Sequence, residues 1–198
     1  MKGNVKRTAI SISLFGETAV GKTNICSTFL GLEFKEQHLA TIGIEKMISE
    51  IVIDTGDKLK IKLWDTAGQE RFKSISVKNL RYSQGAVVVF DLTKQESFNK
   101  VTEWLKRIRD VTPNMPIGLF GNKSDLKDLR EVKQEDIDEL CNKEKLVYFE
   151  TSAKENIGIR EGFTKVASLG FKMDEFETNK GKQLKDMKIK DKKKKCWK

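Results

Sequence analysis

Gly16–Thr23 reads GETAVGKT, two glycines at fixed spacing followed by a lysine and a hydroxyl residue. That pattern suits the capture of phosphate oxygens. Glycines let backbone N–H groups curl around an anion, Lys22 reaches the outer phosphates, and the Thr23 hydroxyl offers an oxygen to Mg²⁺. A helix starting at Lys22 adds its positive dipole end to the same place. Glu17, Thr18, Ala19, Val20, Gly21, Lys22, Thr23 and Asn24 are therefore candidates for the phosphate end of a nucleotide site. A plain glycine turn between strand and helix would share this pattern, and the segment alone does not separate ATP from GTP.

Three further segments extend the ligand. In WDTAGQE (Trp64–Glu70), Asp65 closes an apolar run, where a carboxylate can hold Mg²⁺ through water. Gly68 lets a backbone N–H approach a γ-phosphate without a Cβ clash. The Gln69 amide both donates and accepts, which suits the orientation of a water for in-line attack. Taken singly, Asp65 would read as a helix N-cap and Gln69 as a solvated polar residue. GNKSD (Gly121–Asp125) bears on the base. Guanine presents N1–H and a 2-amino group side by side, and the Asp125 carboxylate can accept both. Adenine has a lone pair at N1 and no 2-amino group, so the carboxylate would be left unpaired at a cost of several kcal/mol. Asn122 suits the N7/O6 edge, and the Lys123 stem can pack on the ring face. ETSAK (Glu150–Lys154) would supply the Ala153 amide to O6, with Ser152 bracing the loop beside Lys154. Either segment alone could be an ordinary surface loop.

The elements that must position these residues alternate between two periods. Thr8–Phe15 alternates and ends at the glycine turn, as a strand does, and Lys22–Leu30 follows as a helix. Ile48–Ile53 and Leu59–Trp64 flank Asp54-Thr55-Gly56-Asp57, the pattern of a hairpin. Ala86–Phe90 is a continuous apolar run suited to a strand buried on both faces. Phe98, Val101, Leu105 and Ile108 recur at helical spacing. Ile117–Phe120 and Lys145–Phe149 read as strands, and Ile159, Phe163, Val166 and Gly170 mark one face of a last helix. This order predicts an α/β fold. It has a six-stranded, mostly parallel sheet with one antiparallel edge strand, helices on both faces, and ligand loops at the strands' carboxyl ends.

Composition bounds the rest. A chain of 198 residues, 38% hydrophobic and 34% charged, can bury one core but not two comfortable domains. The expected division is a short extension (1–7), a nucleotide-binding domain (8–173) and a Lys-rich disordered tail (174–198). The basic start, Met1–Ile10, lacks the long apolar run of a secretory signal, and no stretch approaches the ~20 apolar residues of a spanning helix. Cys26, Cys141 and Cys196 show no metal spacing, which fits a reducing cytoplasm. Of the net charge of +9, the segment Met173–Lys198 carries much, with ten lysines against five acidic residues. With no basic stripe interleaved with aromatics, nucleic acid is not an expected partner.

With its four segments in order, the chain resembles the small GTPases of the Ras superfamily over about Thr8 to Phe171. The likeness is nearest to the Rab family, through Thr41-Ile42-Gly43-Ile44-Glu45, Asp65–Phe72 (DTAGQERF) and Glu96-Ser97-Phe98. The resemblance implies a P-loop NTPase G domain and a monomeric switch that binds GTP or GDP with Mg²⁺ and slowly hydrolyses GTP in vesicle traffic. It implies Thr41 as a second Mg²⁺ ligand beside Thr23 and Asp65, and Phe34 against the guanine face. It also implies an exchange factor, a GTPase-activating protein and effectors meeting about 38–48 and 67–82.

Several positions depart from the family pattern. Where effectors usually meet Phe, Trp and Tyr, this chain has Lys46, Trp64 and Asn79, so usual effectors are doubtful partners. His38 stands where an aromatic often covers the phosphates, and Ala19 replaces a frequent glycine. The ending Lys192–Lys195, Cys196, Trp197, Lys198 is not a standard prenylation signal. Four lysines contribute about 1 kcal/mol each near an anionic leaflet, so one lipid chain on Cys196 plus this patch would hold the protein on the cytosolic face of an endomembrane. A solvated tail or a nuclear import signal has the same composition. The alternative activity is a poorly hydrolysing, nucleotide-loaded scaffold with atypical effectors. A P-loop kinase or ATPase is opposed by Asp125 and the ETSAK loop.

Overall fold

Alternating β-branched and polar residues make Ala9–Phe15 a strand, β1, and its neighbours assemble around it. A computed structural model describes residues 8–36, 44–66, 80–173 and 176. In chain order the further elements are α1 (Lys22–Phe29), β2 (Ile44–Val52), β3 (Lys58–Thr66), β4 (Gly85–Asp91), α2 (Gln95–Asn99) and α3 (Val101–Val111). There follow β5 (Ile117–Asn122), a 3₁₀ turn (Lys127–Leu129), α4 (Gln134–Glu144), β6 (Val147–Glu150) and a last helix, α5, over residues 159–173. One six-stranded sheet runs β2-β3-β1-β4-β5-β6, with β2 antiparallel to β3 and every other pairing parallel. The expected sheet and its single antiparallel edge strand are thus present.

Helices cover both faces of the sheet around β4 and β5, so these strands are buried throughout and read as nearly continuous apolar runs. Ile10, Ile12, Leu14, Ile61, Leu63, Val87 and Val89 face α1 and α5, meeting Ile25, Phe29, Phe163, Val166 and Phe171. Phe15, Ala86, Val88 and Phe90 face the other way, toward Trp104, Leu105 and Ile108 of α3 and Ile137 and Leu140 of α4. Parallel strands place all their carboxyl ends at one rim, where the loops after β1, β3, β5 and β6 converge. No described helix is long and apolar enough to cross a membrane.

Several expected boundaries move. β2 begins at Ile44 rather than Ile48, because β3 continues to Thr66 and pairs with it there. β6 begins at Val147, since Lys145 instead caps α4 in the left-handed region at φ 55°. The helix around residues 98–108 is two helices that meet at Lys100. Helix α4 was not among the expected elements. The extension 1–7 and nearly all of the tail 174–198 lie outside the described residues.

Helix α5 packs closest where it has no side chain. A Cβ added at Gly170 would sit 2.4 Å from the Gln84 carbonyl oxygen, a backbone atom that cannot step aside. Gly170→Ala should therefore destabilise the fold by about 1–3 kcal/mol despite alanine's better helix propensity. Urea unfolding checks this, with a lowered midpoint expected.

Candidate functional site

The loop between β1 and α1 is shaped by left-handed backbone. Gly16, Ala19 and Gly21 have φ of 137°, 64° and 99°, so Ala19 holds a conformation that costs a side chain about 1–2 kcal/mol. Gly21 is the N-cap of α1 and no side chain caps the helix there. An uncapped helix start at the end of a glycine loop presents backbone N–H groups to an anion. Lys22, only 6% exposed, donates from Nζ to the carbonyls of Gly16 (3.0 Å) and Glu17 (2.8 Å). Burial pushes its ammonium down from 10.5 to about 8, against the opposing pull of Asp65 and Glu17. Thr18 and Ala19 are exposed on the loop's outer side.

Asp65 sits at the end of β3, fully buried, and its Oδ2 accepts from the Thr23 hydroxyl at 2.6 Å. Thr66 Oγ1 donates to the Leu14 carbonyl at 2.6 Å and pins this strand end to β1. The structure thus joins two expected Mg²⁺ ligands. Both are hard oxygen donors. Mg²⁺ is commonly held by one or two carboxylates, with waters and substrate phosphates completing the octahedron, so this donor set fits it.

The opposite end of the site is a network of latches. Asn122, at the end of β5 and 2% exposed, donates from Nδ2 to the Val20 carbonyl at 2.8 Å. Its Oδ1 accepts from the Ala153 amide at 3.3 Å. A Cβ on Gly21 would lie 2.3 Å from that Asn122 nitrogen, so only glycine leaves room for the link. Asp125 Oδ1 accepts from Ser152 Oγ at 2.6 Å, and Thr28 Oγ1 donates to the Ala153 carbonyl at 2.8 Å. GNKSD and ETSAK therefore meet in space, 27 residues apart at Asp125 and Ser152. Asn24 Nδ2 donates to the Lys35 carbonyl, Lys154 lies 3.9 Å from Glu36, and Phe34 is half-buried against the α1 side of the core. Thr41, Gly68 and Gln69 lie outside the described residues, as do His38, Asn79 and Cys196.

Three contributors escaped the sequence reading. Asp91, fully buried at the end of β4, pairs with Lys123 Nζ at 2.6 Å and holds that side chain, whose own φ is 68°. Its position after an apolar run repeats that of Asp65, which was the available signal. Thr151 donates its amide to Gly121 and anchors the ETSAK loop to β5. Trp104 Nε1 donates to Glu17 Oε1 at 3.0 Å, tying α3 to the phosphate loop; nothing in the sequence pairs those two.

The Lys22 shift has a sign that can be measured. Its folded value lies below its unfolded one, so folding is penalised at low pH and the penalty lifts as pH rises from about 8 to 10.5. In urea unfolding of ligand-free protein, wild type should gain up to about 3 kcal/mol through this window relative to Lys22→Met, which has no proton to lose. Parallel pH profiles would refute the buried ammonium.

A family model for the Ras family matches residues 11–171. Ras-related protein YPTC6 of Chlamydomonas reinhardtii is 41% identical over 156 residues, 78% of this chain and 72% of that protein. Ras-related protein Rab2BV of Beta vulgaris is 42% identical over 77% and 71% of the two chains. Ras-related protein Rab11B of Nicotiana tabacum is 41% identical over 81% and 74%. The latched loops at the sheet's carboxyl rim therefore sit in a chain that belongs to the Ras family, a small GTPase of the Rab type and so a GTP hydrolase.

Proposed function

We propose that this GTPase discriminates guanine through Asp125, binds GTP or GDP with Mg²⁺, and switches partners in membrane traffic as the γ-phosphate comes and goes. The observation that carries the reading is the Asp125 carboxylate, braced by Ser152 at 2.6 Å on a loop that Asn122 ties to the phosphate loop. A fixed acceptor pair at that place matches N1–H and the 2-amino group of guanine.

In this reading the amides of 17–24 wrap the phosphates, and Lys22 neutralises their outer oxygens. Ligand phosphates beside Lys22 would favour its charged form, so binding and protonation support each other. Thr23 and Asp65, with Thr41, would hold Mg²⁺, which when bound offsets charge on the β- and γ-oxygens. Lys123 packs its stem on the base while Asp91 holds its ammonium. Gln69 orients the attacking water for in-line displacement of the γ-phosphoryl group. Hydrolysis by the chain alone is slow in this reading, and a GTPase-activating protein that adds an arginine charge gains ~10³–10⁵. The Lys-rich tail, with a lipid on Cys196, would hold the monomer at the cytosolic face of an anionic membrane.

Asp125→Asn tests the base assignment. The asparagine oxygen still accepts from Ser152, while its NH₂ now faces the 2-amino group. GDP affinity should fall by roughly two to three orders of magnitude, and xanthosine diphosphate, with a carbonyl at C2, should become the preferred ligand. Retained GDP preference in a competition assay would sink the assignment. For the water, single-turnover phosphate release by Gln69→Leu should fall about tenfold or more at unchanged GTP affinity. Equal rates would favour the scaffold reading instead.

A further inference from the structure

Strands β2 and β3 bury one face against the core and leave the other exposed, and that exposed face is strongly basic. The register pairs Lys46 with Trp64, Ile48 with Lys62, Glu50 with Lys60 and Val52 with Lys58, so these eight residues share one face. The alternate residues Ile51, Leu59, Ile61 and Leu63 are buried on the other face. Four lysines thus stand against one glutamate, with Ile48 (52% exposed) and Val52 (54% exposed) set among them. Lys58, Lys60 and Lys62 form no ion pair with any described residue, even though Glu50 stands opposite Lys60. Lys46 lies over the Trp64 ring at 5.7 Å.

We infer that this face docks an acidic protein segment in extended conformation. The inference rests on the switch reading above, because β2 starts where residues 37–43 end and β3 stops where 67–79 begin, the stretches that hold Thr41 and Gln69. Along a strand, alternate side chains repeat every ~6.7 Å, so Lys58, Lys60 and Lys62 form a column about 13 Å long. An extended partner has the same repeat. It can set a carboxylate on each lysine, while its intervening residues turn to solvent. An anionic bilayer fits less well. It responds to summed charge, and Glu50 in the column with Asp54 and Asp57 at the hairpin turn subtracts from that sum. A discrete partner places its charges around those three. Lysine at position 46 also rejects the apolar partner that an aromatic would welcome, because burying an unpaired ammonium is costly.

The test uses the full chain loaded with a non-hydrolysable GTP analogue. The probe is a labelled 12-residue peptide alternating glutamate with valine and threonine, and its lysine counterpart is the control. Fluorescence anisotropy should show the glutamate peptide binding and the lysine peptide not. Lys58→Thr, Lys60→Thr and Lys62→Thr together keep strand propensity and should weaken binding at least tenfold. Glu50→Lys should tighten it severalfold, a gain that misfolding cannot produce. Affinity for the GTP analogue should be unchanged in both variants. Failure of wild type to bind the analogue would refute the switch reading, whereas the docking face is judged on the peptide alone. No peptide binding, or equal binding by the triple variant, would overturn the proposal. So would a triple variant that keeps the peptide but loses vesicles containing 30% phosphatidylserine, since the face would then be a membrane surface.

Discussion

One carboxamide holds the two ends of the site at a fixed separation. Asn122 ends a buried strand, donates to the Val20 carbonyl and accepts from the Ala153 amide, so three loops share one small side chain. Replacing it with an aliphatic group would leave a carbonyl and an amide without partners in a dry place, a cost of about 1–3 kcal/mol each. Other features accommodate this link. Gly21 is bare because a Cβ would strike the Asn122 nitrogen, and the Ala153 carbonyl is held from behind by Thr28. The loop after β1 and the loops after β5 and β6 are therefore parts of one body.

The same rim collects what the fold would otherwise avoid. Lys22, Asp65 and Asp91 are buried charges, and Ala19 and Lys123 hold left-handed backbone. Lys22 has two carbonyls and two nearby acids, yet burial still dominates its proton affinity. Local rules fail together where a ligand is meant to complete them. The hydrophobic core below shows no such conflict, with each sheet face matched to its own helices.

Much of this was legible because glycine, lysine, aspartate and asparagine at the strand ends have few other uses in that order. Strand β4 and the face of α3 were equally plain, since full burial writes continuous apolar runs and helical burial writes a 3.6-residue period. Helix α4 was not legible. It buries only Ile137 and Leu140 beneath a dense charged surface, and its start is marked only by the acids Glu135 and Asp136. The first turn of β2 was missed for a different reason. Ile44–Met47 gains strand structure from pairing with β3, a partner about twenty residues on, and local pattern carries no trace of that. Trp104 belongs to the same class, since its partner Glu17 is set by topology, as is the pairing of Asp91 with Lys123.

Strand β2 closes the sheet on one side, and for nine residues its outward backbone donors and acceptors are open to any other strand. Two copies of this chain meeting edge to edge could in principle continue the ladder. Glu45, Lys46 and Glu50 make that approach costly, because solvated charges must be stripped of water before the backbones close. The edge strand thus works as a guard on colloidal behaviour. The same charges oppose edge-to-edge association between copies and require complementary charge of any foreign strand that pairs there.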